Sequence, residues 1–408
     1  MTSSSSGEPR PDYRLRAGLR QLARAERLGA RVTSAEANGR ARLARTGART
    51  VLAAGQARAW TGAQLRRGVH AVQQWWQRLR TPAPAVSVPG PDAFLVVAHR
   101  GSSAVKIENT IEAMRYAIDV DHANAVEIDL SFTADGQVVL WHDWLPNDAV
   151  ALARQLGLEP GQKYKPDAPD LWSSWRRPAH QLTLEELRTH YGYKKKAFLG
   201  FSRKVTAHIP TLREFLEWAS GAAELRAVFM DIKLPEDQVA LVPAFAKAIG
   251  DLLAEFQPEY EAIFMTPREA VLSALKQCPG DRAFSFDVEV PPGIVLNATE
   301  HSGTRTAIEH QNAYASVGRP ALTWGAWRIY QEIIEHDVAL RAKHNEAGAG
   351  PPVRRLIAWT LNNPAEYRRV LQLGVQGILT DKPRKLRRTA ERLGVLPQRA
   401  RHRASSLS

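Results

Sequence analysis

Ala125-Val-Glu-Ile-Asp-Leu130 constrains this chain more than any other six residues. It alternates with period two, so a strand would turn Val126, Ile128 and Leu130 to one face and Ala125, Glu127 and Asp129 to the other. Two carboxylates roughly 6–7 Å apart on one face of an apolar strand are costly to bury. A cation or hydrogen-bond donors must compensate them. For the hexapeptide alone, a solvated polar face is the plain alternative.

Its neighbours add to the pattern. Asp135-Gly136 is a strong hairpin signal, and Val138-Val-Leu-Trp-His142 reads as the returning strand. A two-residue turn predicts Asp129 opposite His142, which puts Glu127, Asp129 and His142 on one face. A slip of one residue would send His142 to the other face. Upstream, the apolar run 94–98 ends in His99-Arg100-Gly101, a strand end that presents a histidine and a bidentate phosphate ligand. Asn109 or Thr110 can cap the helix carried by Ile111, Met114, Ala117 and Ile118. Arg226-Ala-Val-Phe-Met-Asp-Ile-Lys-Leu234 repeats the alternation, with Phe229, Asp231 and Lys233 on the inner face. There, an Asp231–Lys233 salt bridge is the purely structural reading.

Strands are predicted at 94–98, 125–130, 226–232, 261–265, 283–287, 321–324, 355–360 and 377–380. They alternate with amphipathic stretches at 109–119, 211–222, 236–256, 327–341 and 364–373. This pattern predicts an α/β fold with a parallel sheet, and the length suits a (β/α)8 TIM barrel. A β-hairpin and a long insertion, 144–180, would follow the second strand. Barrel sites lie at the C-terminal strand ends, where His99, Asp129 and Asp231 fall. Four parts are expected: a basic helical extension (1–80), a Pro-rich linker (81–91), the barrel (92–383) and a basic tail (384–408).

The run His99-Arg100-Gly101, Glu108-Asn109-Thr110, Glu127-x-Asp129 and His142-Asp143 resembles the glycerophosphodiester phosphodiesterases, which are TIM barrels akin to phosphatidylinositol-specific phospholipase C. Ile209-Pro-Thr-Leu212, Ala358-Trp-Thr-Leu-Asn362 and Gly374-Val-Gln-Gly-Ile-Leu-Thr-Asp-Lys-Pro383 extend the likeness over most of residues 94–383. The resemblance implies His99 and His142 as the acid/base pair and Glu127, Asp129 and Asp231 as ligands of one divalent cation. Arg100 and Lys233 would bind the substrate phosphate. An all-carboxylate set without cysteine favours Mg²⁺ or Ca²⁺. Asp231 stands where the family more often has Glu. The family's Arg-Thr run after His-Asp is missing. Glu108, Trp144, Trp324 and Trp359 are expected to line the substrate mouth, where the indoles could hold a choline head group or an acyl chain.

The implied function is metal-dependent hydrolysis of glycerophosphodiesters to glycerol phosphate and an alcohol. A lysophospholipase D or sphingomyelinase D type enzyme on membrane lipids is the alternative, and a catalytically silent membrane-associated scaffold is the remote one. The phospholipase C reading fits the Glu-Asn-Thr and Thr-Asp-x-Pro text less well.

The formal charge of +13 is uneven. Residues 1–90 carry sixteen arginines against four acids, and residues 384–408 add +7, so the barrel segment is mildly acidic. Leu65, Val69, Val72, Trp76 and Leu79 share one face of a basic helix suited to an anionic membrane surface. Packing against the barrel or another subunit is equally compatible. Nucleic acid is not expected as a partner, since no binding motif accompanies the charge. The single cysteine, Cys278, excludes an internal disulfide framework and suits a reducing compartment. With no secretory signal and no transmembrane run, the expected location is cytoplasmic, with peripheral membrane contact through the extension.

Overall fold

The computed structural model describes residues 94–197, 202–280, 282–289, 298–319 and 326–398. The extension 1–80, the linker 81–91, Trp324 and the end of the C-terminal tail lie outside the described residues.

Eight parallel strands pair in a ring: β1 (Leu95–Ala98), β2 (Ala125–Phe132), β7 (Ala227–Ile232), β8 (Glu261–Thr266), β9 (Ala283–Val288), β10 (Tyr314–Gly318), β11 (Arg355–Trp359) and β12 (Gly377–Thr380). β1 closes the ring by pairing with both β12 and β2. Strand alternation sorts the side chains into two layers. Leu95, Val97, Ala125, Phe229, Ile263, Tyr314, Ile357 and Leu379 fill the barrel. Val96, Val126, Ile128, Val228 and Met230 face outward against Phe215, Phe245 and Ile249 of the helices. Each such side chain contributes about 1.5–3 kcal/mol when fully buried.

Two helices that follow the hairpin begin alike. Thr183 caps the helix Leu184–His190 and Thr211 caps Leu212–Ala219, each through a capping box with the glutamate three residues on. The sixth barrel strand is Tyr314–Gly318 rather than 321–324, which lies outside the described residues. Tyr-Ala-Ser-Val-Gly is a weak strand signal, because its small residues point into a crowded interior. Pro383–Arg392, where the basic tail was expected to begin, is a helix that buries Leu386 and Ala390.

The excursion between β3 (Val138–Leu140) and β7 carries structure of its own. A helix, Ala149–Gln155, precedes β4 (Tyr164–Asp167), which joins β5 (Gly192–Lys196) and β6 (Ser202–Val205) in a separate antiparallel sheet. None of the described helices is long and apolar enough to cross a membrane.

Candidate active site

The carboxylate floor comes from two adjacent strands. In parallel register Asp129 of β2 lies beside Asp231 of β7, with Glu127 one inward step below. One ligand oxygen from each of the three falls within 4.8 Å of the others, and all three residues are buried. Burial, with Asp129 and Asp231 close by, pushes the Glu127 carboxyl well above the usual range. Burial also works against ionised Asp129, but Lys233 and Arg100 outweigh it and hold this carboxyl well below its usual value. Lys233 Nζ lies 2.9 Å from Asp129 Oδ1 and also pairs with Asp231, so the contact of the purely structural reading forms within the same cluster. Asp231 Oδ1 is buried without a hydrogen-bond partner. Asp129 Oδ1 likewise lacks a hydrogen bond and has only the Lys233 ion pair, and three such crowded carboxylates suit a divalent cation with oxygen ligands.

The two histidines are built alike. His99 Nδ1 lies 2.7 Å from Asp381 Oδ1, and His142 Nδ1 lies 2.7 Å from Asp143 Oδ1. Each carboxylate orients an imidazole and leaves its Nε2 for chemistry. Asp381 also accepts from Ser103 Oγ and Asn362 Nδ2, at 3.0 and 2.5 Å. Burial works against its charge, yet His99 and Asn362 bring its carboxyl down to about 2. Burial pushes Asp143 up to about 6. His142 is held well below its ordinary value by burial first, then by Arg154, Lys233 and Arg100.

His142 reaches the site by a different route from the predicted one. Phe132 pairs with Val138 and Leu130 with Leu140, one residue out of the expected register. Gly136, at φ +76°, closes a three-residue loop in place of the two-residue turn. Trp141, not His142, follows opposite Asp129, its N–H donating to the Asp129 carbonyl at 3.0 Å. The strand ends at Leu140, and His142 comes within the electrostatic reach of Asp129 beyond it.

Arg100 and Asn109 both sit in the left-handed region at φ +53°. Such non-glycine conformations cost on the order of 1–3 kcal/mol each and gather at functional sites. Here they aim polar groups at the floor. The Arg100 N–H donates to Glu127 Oε2 at 2.8 Å, and Asn109 Nδ2 donates to Asp129 Oδ2 at 2.6 Å. Gly101, at φ +79°, lets this turn press onto Ala113, where an added Cβ would lie 2.7 Å from backbone. Thr110 takes the helix cap, which frees Asn109 for Asp129.

The remaining predicted residues are spread differently. Glu108 is buried in an ion network, accepting from Arg100 Nη1 at 2.9 Å and from Arg154. Trp144 is buried in the outer core against Phe245 and donates to His180 Nδ1 at 3.0 Å. Trp359 packs against Gly318 at the upper rim of the inner layer, and its Nε1 has no partner among the described residues. Sequence reasoning missed Asp381, Asp143 and Asp287. The rule that found Asp231, a carboxylate at a strand's C-terminal end, applies equally to Asp287 and Asp381. Asp287 accepts from Ser316 Oγ at 2.7 Å, and burial, with Asp231 adding, pushes its carboxyl up to about 8. Arg154 and Glu159 of the insertion gave no local signal.

Residues 99–385 match the model of the glycerophosphoryl diester phosphodiesterase family. A glycerophosphodiester phosphodiesterase of Caldanaerobacter subterraneus subsp. tengcongensis is 24% identical over 293 residues, covering 72% of this chain and 96% of its own. One from Bacillus subtilis (strain 168) is 23% identical over 319 residues, 74% of this chain and 89% of the relative. The crystal structure of a putative glycerophosphoryl diester phosphodiesterase from Silicibacter pomeroyi superposes with a TM-score of 0.54 at 19% identity, over 75% of this chain and 96% of that one. That likeness supports the barrel fold. The chain belongs to the glycerophosphoryl diester phosphodiesterase family.

Proposed function

We propose that this protein hydrolyses glycerophosphodiesters to glycerol phosphate and an alcohol, with His142 as general base and His99 as general acid. The observation that carries this reading is the pair of His–Asp dyads beside the triad Glu127, Asp129 and Asp231. The triad would hold one Mg²⁺ or Ca²⁺, which when bound supplies charge stabilisation at the phosphoryl oxygens.

The side chains divide the remaining work. His142, kept neutral by burial and by the surrounding cations, accepts the proton of the attacking water or of the adjacent glycerol hydroxyl. The nucleophile's oxygen bonds to phosphorus as the bond to the alcohol oxygen breaks; where the glycerol hydroxyl attacks, the cyclic phosphodiester so formed is then opened by a water to give glycerol phosphate. His99 delivers the proton that the departing alkoxide needs, while Asp381 keeps its negative charge against the imidazolium. Lys233 and Arg100 add positive charge beside the phosphoryl group. Both rest on floor carboxylates, Arg100 Nε at 3.0 Å from Asp129 Oδ2, so they stand ready to share that contact with phosphate.

The substrate proposed is a small glycerophosphodiester, with peripheral contact to anionic membranes assigned to the extension 1–80. A panel of glycerophosphocholine, lysophosphatidylcholine and sphingomyelin, with products identified, tests the choice. Release of glycerol phosphate from glycerophosphocholine alone is expected. Turnover confined to the long-chain lipids would transfer the assignment to a lysophospholipase D or sphingomyelinase D activity. Activity surviving His142→Ala would remove the two-histidine mechanism.

A further inference from the structure

The insertion does more than border the site, because it sends two charged side chains into it. Arg154, at the end of the helix Ala149–Gln155, is almost fully buried. Its Nε donates to Asp143 Oδ1 at 2.8 Å, and its guanidinium also pairs with Glu108. Glu159 follows five residues on, and its two oxygens go to different arginines. Oε1 accepts from Arg100 Nη1 at 3.1 Å and Oε2 from Arg154 Nη1 at 2.8 Å.

We propose that Arg100 and Arg154 form an oxyanion seat between barrel and insertion, and that Glu159 is an internal stand-in which a phosphate group displaces. Three observations carry this. First, a carboxylate bridging two guanidiniums reproduces the way two phosphate oxygens would be held. Second, Glu159 is the exposed member of the network. Its side chain is 25% accessible, whereas Asp129, Asp143 and Glu108 are at 9% or less. Third, both arginines have other anchors. Arg100 keeps Glu108 and Asp129, and Arg154 keeps Asp143 and Glu108, so the seat stays organised when Glu159 leaves.

The exchange is local. Lys196 Nζ holds the main chain at and just before Glu159, donating to the Gly157 carbonyl at 2.9 Å and the Glu159 carbonyl at 2.8 Å. Only the Glu159 side chain has to swing out. Arg100 Nε rests on Asp129, so an anion in the seat lies one guanidinium away from the carboxylate floor. The ligand class is a phosphate monoester or diester, with the doubly charged monoester favoured. Glu159 then competes with the product of the proposed reaction and hastens its release.

The inference rests on the diesterase reading, and one set of measurements separates the two. Glycerol 3-phosphate is titrated calorimetrically into the full chain in Mg²⁺, using wild type, Glu159→Gln, Arg154→Lys and the double variant. Glycerophosphocholine turnover is followed in the same preparations. Glu159→Gln should bind product about tenfold more tightly, and Arg154→Lys should lose about as much, since a charge-assisted hydrogen bond is at stake in each. In the double variant the gain from Glu159→Gln should shrink, because one arm of the seat has lost its fork. Unchanged or weaker product binding in Glu159→Gln overturns the seat. Tighter binding without wild-type turnover keeps the seat and overturns the diesterase reading.

Discussion

The carboxylate floor and the insertion reach the same pocket by opposite means. Glu127, Asp129, Asp231 and Lys233 stand on or just beyond two adjacent barrel strands, where period-two alternation dictates which way each side chain points. Arg154 and Glu159 arrive from a helix end and a loop, through ion pairs to residues 11, 46 and 59 positions away in the chain. The first arrangement is a property of local backbone geometry. The second exists only once the excursion has folded over the barrel. Chemistry placed on strands is therefore legible and rigid, whereas chemistry delivered by an insertion is open to variation and suits tuning of substrate and product affinity.

That contrast predicts a gradient of effects. Asp231→Asn, on the floor, should lower kcat/KM by about 10³-fold, the scale of losing one preorganised electrostatic group. A loss under tenfold would show that the floor is not where charge is stabilised. Asp143→Asn, at the junction of the two regions, should cost roughly 10²-fold in kcat through misorientation of His142, the low end for general base catalysis. The checking measurement is a pre-steady-state rate with KM little changed.

Arg154→Met, in the root of the insertion, should act on the pH profile. His142 is depressed by burial and then by Arg154, and in the proposed role of base it would serve only while neutral. Activity is thus lost as pH falls through that depressed value. Removing a neighbouring cation raises it, so the acid limb of kcat/KM should move to higher pH. A limb that stays or moves lower would separate Arg154 from His142. The same variant takes one of two buried partners from Glu108, which keeps Arg100, and from Asp143, which keeps His142, and should cost about 3 kcal/mol of stability, read from denaturant unfolding. Elsewhere in the insertion, Trp172 is 84% exposed, and Trp172→Ser should change stability by less than about 0.5 kcal/mol and leave turnover of small diesters unchanged.

The ring of strands and the floor were legible in the sequence because apolar alternation and strand-end position follow from backbone geometry. Seven of the eight barrel strands lie close to where periodicity puts them. The hairpin register was not legible, since Asp135-Gly136 permits a two- or a three-residue loop, and Gly136 adopts the bulged form. Had His142 stayed on the ladder, the slip would have turned it away from Asp129. The strand ends two residues earlier, and the imidazole turns back to meet Asp143. Trp144, expected at the mouth, is buried in the outer core. An indole beside a catalytic motif is as well suited to filling the layer against Phe245 as to binding substrate. Asp381 was within reach, because it follows directly on β12 as Asp231 nears the end of β7. Arg154 was not, because no periodicity ties a cation on one helix to a carboxylate 11 residues before it.

The central claim is that three carboxylates on neighbouring strands bind the cation on which diester cleavage depends. Its most direct test is the rate of glycerol phosphate release from glycerophosphocholine by chelator-treated full chain, titrated with Mg²⁺ or Ca²⁺. The account predicts no turnover in chelator, recovery that saturates with one ion per chain, and no recovery at matched concentrations in Asp231→Asn. Full turnover in the presence of EDTA, or equal recovery in Asp231→Asn, would contradict it.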